Sequence, residues 1–449
     1  MITVSVTDPD TGSPQRSRVT FLAQGSTPSP HPPEDVRIDR GSWTGNISGV
    51  AYVMGEDTPV TLPYGEYEVV ASRGFSYTVD RRAVTLSPEG PSSLDLQIQR
   101  VVDTSGWVSS DFHIHAFRSA DSFVPYDVRA LQAASEDLDA PILTEHVYVN
   151  TMASEVDELG LTDVVAPIPG QEVTTFAFGH FNAFPLVVDW LKPNMGGVFP
   201  HDKDPHGLFQ AIRDQHPGDE IIQVNHPRGA ELSSYFTHVG LQTGTAEVVN
   251  PDRWSLNWDT IEVFNGSCGA GQSYEDWIGL TNHGVLKVLA SGSDTHKERS
   301  PPGTPRNWIR IDKETVLANH GSLVPVVRSR SQFVSCGPFV RFRAIDDQGT
   351  TVAHLGEMAA PDADGAVTFA ATVEAPPWMQ IHTVRLRENG LIIDEVTVTA
   401  ANEGSILLDE TFVVNPESDA WYNLEVHGSG SMHPVAFSGP PDAYTNPIE

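Results

Sequence analysis

Along the middle of this chain, histidines and carboxylates recur at the ends of short apolar runs, a placement suited to holding divalent cations. Of the 17 histidines, His113, His115, His146, His180, His226 and His296 fall where such a run stops or the next loop begins. The first pair sits in Asp111-Phe-His113-Ile-His115. On an extended strand, side chains two residues apart share a face, so Asp111, His113 and His115 are expected to point the same way. Two neutral imidazoles held side by side on rigid backbone can bind one metal ion. Asp121 follows in the loop Arg118-Ser-Ala-Asp-Ser122, Glu145-His146 closes the next run, and Glu172 comes after Ile168-Pro-Gly170. His180 stands in Gly179-His-Phe-Asn182, His226 follows Ile221-Ile-Gln-Val-Asn225, and Asp294-Thr-His296 ends the last strongly apolar run. A lone His-x-His is a weak signal, whereas the whole set in register with the strand pattern is a strong one. His31, His201, His206, His216, His238, His320, His354, His382, His427 and His433 fall outside that pattern and read as loop and capping residues. His283 reads as serving a helix end.

The elements that must position these residues lie in segment 105–332, where short apolar runs alternate with helical patterns in the β-α-β rhythm of a barrel or wound sheet. Runs appear at 141–144, 221–224, 260–264 and 286–290. Helical periodicity appears around Val128, Leu131 and Leu138, around Leu208 and Ile212, and around Trp277 and Leu280, the last stopped by Gly284. In α/β folds the C-terminal strand ends form the functional rim, so polar residues at several strand ends converge in space. Segment 1–104 alternates in the manner of strands, as in Tyr67-Glu-Val-Val-Ala71, and is expected to be a small β-sandwich with an exposed loop from Ser26 to Pro33. Segment 333–449 returns to β patterning, with turn chemistry at Asn389-Gly390, and is expected to be a second β-sandwich domain.

Charge bounds the partners. The chain has 449 residues, enough for two or three domains, with 27 Lys+Arg against 59 Asp+Glu and a formal net charge of −32. Such a surface repels nucleic acid and anionic lipid, so neither is expected as a bulk partner, and a small-molecule substrate is. The acidity itself reads as solubility or a salty habitat. No run is long enough for a membrane helix and Met1 opens no signal peptide, which leaves a cytoplasmic protein and a mature exported form both open, as it does the oligomeric state. Cys268 and Cys336 are either one bridge or two thiols. Their spacing argues against a thiolate zinc site.

The set Asp111-Phe-His-Ile-His115, Asp121, Thr144-Glu-His146, Pro169-Gly-Gln-Glu172, Asn225-His-Pro227 and Ser293-Asp-Thr-His296 resembles the polymerase-and-histidinol-phosphatase (PHP) superfamily. Gly179-His-Phe-Asn182 and the leading β segment look like its carbaryl-hydrolase-type (CehA/McbA) branch. The resemblance implies an α/β fold, a distorted (β/α)7 barrel flanked by the two β-sandwiches. It also implies a site of two or three divalent ions, commonly zinc, manganese or iron. His113, His115 and Asp294 would hold the first ion, with Glu172 bridging to a neighbour. Asp121, His146 and His296 would hold the second, and His180 and His226 would hold or border a third. The family usually has Asp where Glu145 stands, a departure that bears on how His146 is oriented.

The chemistry implied is hydrolysis by a metal-bridging hydroxide, with Asp294 as proton acceptor and His180 or His226 protonating the leaving group. A phosphoester is the first expectation. Arg228 and Arg118 are candidate clamps on an anionic oxygen, with Lys297 and Arg299 near the mouth, and an ordinary acid-pairing role is the bland alternative for Arg228. An aryl carbamate or ester is the alternative substrate, with Phe112, Phe117, Phe176 and Phe181 as a candidate apolar wall. A non-catalytic metal-binding or interaction protein is a further alternative. Competing nucleophiles are poorly supported: Gly428-Ser-Gly-Ser431 fails the Gly-x-Ser-x-Gly pattern, and Cys268 reads as a small buried thiol in a tight turn.

Overall fold

The computed structural model describes residues 1–30, 49–215, 219–269, 271–398, 405–436 and 439–449. His31, His216 and the end of the Ser26–Pro33 segment lie outside them.

Strict alternation builds the N-terminal sandwich. In Ile2–Thr7, Ile2, Val4 and Val6 are buried and the residues between them face outward. This strand lies between Thr58–Val60 and Ser93–Gln97 in a three-stranded sheet. A four-stranded sheet of Val50–Met54, Arg16–Ala23, Gly65–Ser72 and Asp80–Leu86 faces it. Val4, Val6, Val19, Phe21, Tyr67, Val69 and Leu96 belong to one apolar cluster between the layers.

The central region is a mixed α/β structure whose strands are buried on both faces, with polar residues on the face that carries the site. Val108–Ile114 runs parallel to Ala140–Leu143, which runs parallel to Ile168–Pro169. Gln171–Thr174, His180–Phe184, Ile221–Val224, Thr260–Asn265 and Val288–Gly292 form a five-stranded sheet in that order. Helix Tyr126–Ser135 connects the first two strands and is buried from Val128 to Ser135, with Gln132 donating to the Tyr52 hydroxyl of the N-terminal sandwich at 2.9 Å. Helix Pro205–Arg213 starts on Asp204, whose side chain accepts from the Gly207 N–H, and buries Leu208, Phe209 and Ile212. Helix Gln272–Asn282 ends as expected: Gly284 has φ +77°, and His283 Nδ1 lies 2.7 Å from the Gly279 carbonyl.

The closed barrel is not what the described residues form. The strands of the central region divide between two sheets that meet at two seams, through the isolated bridges Ile114 to Thr295 and His146 to Glu172. Strand His180–Phe184 is antiparallel to both neighbours and follows Gln171–Thr174 with no helix between, which breaks the strict β-α alternation. Nor is the C-terminal sandwich free-standing. Arg306–Ile309, Gln332–Ser335, Ala443–Thr445, Tyr422–Ser429, Gln380–Glu388 and Leu391–Thr397 extend the same nine-stranded sheet that carries Val108–Ile114. A four-stranded sheet covers this extension, and the two share one apolar cluster that includes Phe339, Val373, Leu386 and Leu424. Cys268 and Cys336 form a disulfide with a Cα–Cα separation of 5.8 Å, so Cys268 is not a thiol. No described helix is long and apolar enough to cross a membrane.

Candidate metal centre

The site begins with the strand Val108–Ile114, every residue of which is buried. Phe112 turns into the apolar core, while His113 and, just past the strand, His115 turn their rings to the opposite side. Their Nε2 atoms lie 3.1 Å apart. Asp294 Oδ1 is 3.3 Å from each of them, and Glu172 places Oε1 3.3 Å from His113 Nε2 and Oε2 3.8 Å from His115 Nε2. Donors about 2.0–2.1 Å from a tetrahedral ion lie about 3.3 Å from one another, so these atoms are spaced as ligands of one such ion.

The tautomers agree with that spacing. His113 Nδ1 is 2.9 Å from Glu262 Oε1, and a carboxylate can only accept, so this nitrogen carries the proton. Ser119 gives its hydroxyl proton to Glu145 and its oxygen lies 2.8 Å from His115 Nδ1, which fixes the same tautomer there. Two Nε2 lone pairs are thereby aimed at one point. They repel unless a proton or a metal ion stands between them.

Two further groups adjoin the first. His115, His146 and His296 present ring nitrogens close enough to share an ion, and Asp121 Oδ2 is 3.3 Å from Nε2 of both His146 and His296. His296 Nε2 is buried and makes no hydrogen bond, as expected of an atom reserved for a metal. On the other side of Glu172, His180 Nδ1 and His226 Nε2 lie 3.2 and 3.6 Å from its Oε1. Glu172, buried at 1% exposure, thus touches all three groups, reaching the second through His146. Several clusters of buried histidine and glutamate therefore have the donors and spacing to hold divalent ions.

Electrostatics point the same way. Burial opposes charge on His113, yet Asp294, Glu262 and Glu172 hold its pKa well above the ordinary value. Burial also opposes charge on His146, but Asp121 and Glu172 push it up to about 10. His115, buried and flanked by His113 and His296, is pushed down to about 4 despite Asp294. Glu172 and Asp294 stay ionised although burial disfavours it, because histidines surround them. A cluster that draws protons onto buried imidazoles is one in which metal ions can replace them.

Comparison with known proteins adds little to this geometry. No family model and no curated protein matches the sequence. Among solved structures the chain is similar to a two-domain protein from Bacteroides vulgatus ATCC 8482, described as containing a predicted PHP-like metal-dependent phosphoesterase. That likeness covers 78% of this chain and 98% of the other at 16% identity, with a TM-score of 0.38. The reading of the site rests on its side chains.

The structure thus brings His113, His115, Asp121, His146, Glu172, His180, His226, Asp294 and His296 into one neighbourhood. Two of them stand on left-handed backbone, Asp294 with φ +50° and His226 with φ +26°, a region that non-glycine residues adopt infrequently. Asp111 shares the strand but not the role. Its carboxylate accepts from the N–H groups of His113, Ser293 and Gly303 and ties strand ends together. Glu145 likewise faces a loop, accepting from the N–H groups of Ala116, Arg118 and Ser119. Its extra methylene relative to Asp is taken up there, and His146 is aligned instead by its N–H on the Ser119 oxygen and by Thr174 Oγ1 beside Nδ1.

The candidate substrate residues divide. Arg228 gives Nε and Nη2 to the buried carboxylate of Asp276, both at 2.6 Å, so its fork is committed to an acid and not offered to the cage. Arg118 is exposed, makes no ion pair among the described residues, and lies 5.9 Å from the ring of Tyr148, two residues from His146. Phe112 and Phe181 are fully buried core residues and cannot wall a pocket, whereas Phe117 and Phe176 are 62% and 81% exposed.

The sequence does not single out Glu262, Ser119, Asn225 or Asn265. Glu262 is buried, orients His113, and accepts the His226 N–H at 2.6 Å. Asn225 donates to Glu172 Oε1 at 2.9 Å, and Asn265 to Asp294 Oδ2 at 3.1 Å. The available signal was an acid inside the apolar strand Thr260–Asn265, a position rarely acidic without a partner.

Proposed function

We propose that the chain is a metal-dependent hydrolase of small phosphoesters. The observation that carries this reading is that His113 Nε2 and His115 Nε2 lie 3.1 Å apart, with Asp294 Oδ1 3.3 Å from each and Glu172 Oε1 3.3 Å from His113 Nε2. His113, His115, Asp294 and Glu172 would hold one ion, Asp121, His146 and His296 a second, and His180 and His226 a third shared with Glu172. Bound divalent ions supply an acidified water and a counter-charge for the phosphoryl oxygens. Asp294, at 23% side-chain exposure, accepts the proton of the attacking water. If no third ion is held there, His180 or His226, at 18% and 22% side-chain exposure on the far side of Glu172, would instead deliver a proton to the leaving oxygen. Asn265 donates to the second oxygen of Asp294, which keeps Oδ1 turned toward the cage. Arg118, exposed beside Tyr148, would meet an anionic oxygen of the substrate.

One observation favours a second reading, an aryl carbamate or ester: the exposed ring of Phe117 stands in the loop that carries Asp121, and that of Phe176 in the loop that precedes His180. A panel of nitrophenyl phosphates, phosphodiesters and nitrophenyl carbamates, assayed with manganese or zinc, separates the two. The phosphoesterase reading expects at least two ions per chain and phosphoester turnover that disappears in the His113→Ala/His115→Ala double variant, with the β regions still folded. Fewer than one ion per chain after growth with metal, or full activity in the double variant, would sink it.

A further inference from the structure

We infer that Arg129 is a positioning residue that sets the spacing of the two ligand-bearing segments 113–115 and 294–296, an inference that rests on the metal-cage reading above. Arg129 lies in helix Tyr126–Ser135 and is 0% exposed. A guanidinium withdrawn so completely from water normally meets a carboxylate. No described carboxylate lies within ion-pair distance of this one. Its donors go to main-chain carbonyls instead: Nε to His115 at 2.9 Å and Nη2 to Thr295 at 3.0 Å. Nη1 donates to Gln132 Oε1 at 2.6 Å, with the carbonyls of Lys297 and Ser300 at 3.4 and 3.5 Å.

The acceptors are what make this informative. His115 is itself a candidate ligand, and Thr295 stands between two others, Asp294 and His296. These segments face each other across a seam where regular pairing is reduced to a single bridge. The main chain supplies only His115 N–H to Thr295 O at 3.1 Å and Asp294 N–H to His113 O at 2.8 Å there. Ser293 adds side-chain ties, its Oγ to the His113 carbonyl at 3.3 Å and its N–H to Asp111 at 3.0 Å, and Arg129 adds a further, rigid one. Its donors radiate from a planar group, so the two carbonyls are held at a separation fixed by the guanidinium. That separation in turn positions the ring of His115 against Asp294 and His296. A lysine keeps the charge but places three donors on one flexible atom, and cannot hold two carbonyls apart in the same way.

Helix burial alone would explain a stabilising arginine, so the test needs a readout that stability does not move. Cobalt(II) titration provides one, because its visible bands report ligand geometry. The proteins compared are wild type, Arg129→Lys and Arg129→Met, each also melted without metal. Arg129→Lys is expected to fold, to bind cobalt about 10-fold or more weakly, as for other residues that orient ligands, and to show shifted bands. Arg129→Met is expected to lose more. If Arg129→Lys keeps wild-type cobalt affinity and spectrum, whatever its melting temperature, Arg129 is structural only and the inference is overturned. Should both variants fail to fold, Gln132→Met, which removes the side-chain partner of Nη1, and Tyr52→Phe, which removes only another partner of Gln132, carry the test together: unchanged affinity and spectrum in Gln132→Met, or equal changes in the two, overturn the inference, and weaker binding with shifted bands in Gln132→Met alone supports it. Absence of cobalt uptake by the wild-type chain overturns the cage reading and this inference together, a result distinguishable from failure of the inference alone.

Discussion

Glu262→Gln is a nearly isosteric change that should disable the first metal site without touching a ligand. The carboxylate of Glu262 receives donors on both oxygens. His113 Nδ1–H points at Oε1 from 2.9 Å, while the His226 N–H and Asn265 Nδ2 approach Oε2 at 2.6 and 3.0 Å. An amide can offer an oxygen to one side only. If its NH2 faces His113, it donates to Nδ1, the ring proton moves to Nε2, and the ligand lone pair is lost. If the NH2 faces His226, it meets two donors with no acceptor, at a residue already on left-handed backbone. Either way one element of the cage is misplaced. Loss of a ligand-orienting carboxylate weakens metal binding about 10–100-fold, which corresponds to about 1.4–2.7 kcal/mol. Zinc affinity measured by competition with a chromophoric chelator tests this, with metal-free melting curves to confirm the fold. A Glu262→Gln protein that binds zinc within about 2-fold of wild type would refute the tautomer argument.

Other parts of the molecule give sharper separations of stability from activity. Arg228→Ala leaves Asp276 buried without its partner and is expected to destabilise the fold by about 3–5 kcal/mol in urea titrations, while Arg118→Ala leaves the melting temperature unchanged and raises KM for a phosphoester. Because Cys268 and Cys336 are 68 residues apart, reducing their bond is expected to cost about 4 kcal/mol, read as a shift of the urea midpoint with dithiothreitol that is absent in a Cys268→Ser/Cys336→Ser variant. His427 sits between Glu425 at 3.2 Å and Asp442 at 3.5 Å, and although burial opposes its charge these carboxylates push it up to about 9. A raised folded-state pKa means that its stabilisation is fully present below about pH 6.5 and is lost as pH rises through about 9. Melting temperatures between those values should fall more steeply in wild type than in His427→Gln.

The strand ends were legible because ligands sit there for a reason visible in one dimension: an apolar run must stop where a polar site begins. His113, His146, Glu172, His226 and Asp294 all follow that rule. Supporting residues were less legible because what defines them is a partner distant in sequence. Glu262 lies 149 positions from His113, and Arg228 finds Asp276 48 positions on. The same limit applies to Phe112 and Phe181, whose composition suits a pocket wall equally well but whose burial places them in the core. The C-terminal strands showed their alternation, yet alternation says nothing about which sheet a strand joins. Gln332–Ser335 pairs with Arg306–Ile309 and so fuses two regions that periodicity separates.

The positions of the ligands relative to the two seams suggest what metal does for the fold. At the first seam His113 and His115 face Asp294 and His296. At the second, His146 faces Glu172. Ladder hydrogen bonds are sparse at both, so ions held between these side chains would cross-link sheets that the backbone joins only loosely. Chelation should therefore loosen the seams before the rest. Amide exchange is expected to accelerate at His115 and Asp294, which bond to Thr295 and His113 across the first seam, and at Val147 and Glu172, which bond to Glu172 and Glu145 across the second. Val19 and Val69, in the core of the N-terminal sandwich, should exchange at an unchanged rate. A uniform acceleration on chelation would mean that metal stabilises the chain globally by mass action alone, and no change at any of the four amides would mean that the seams hold without it.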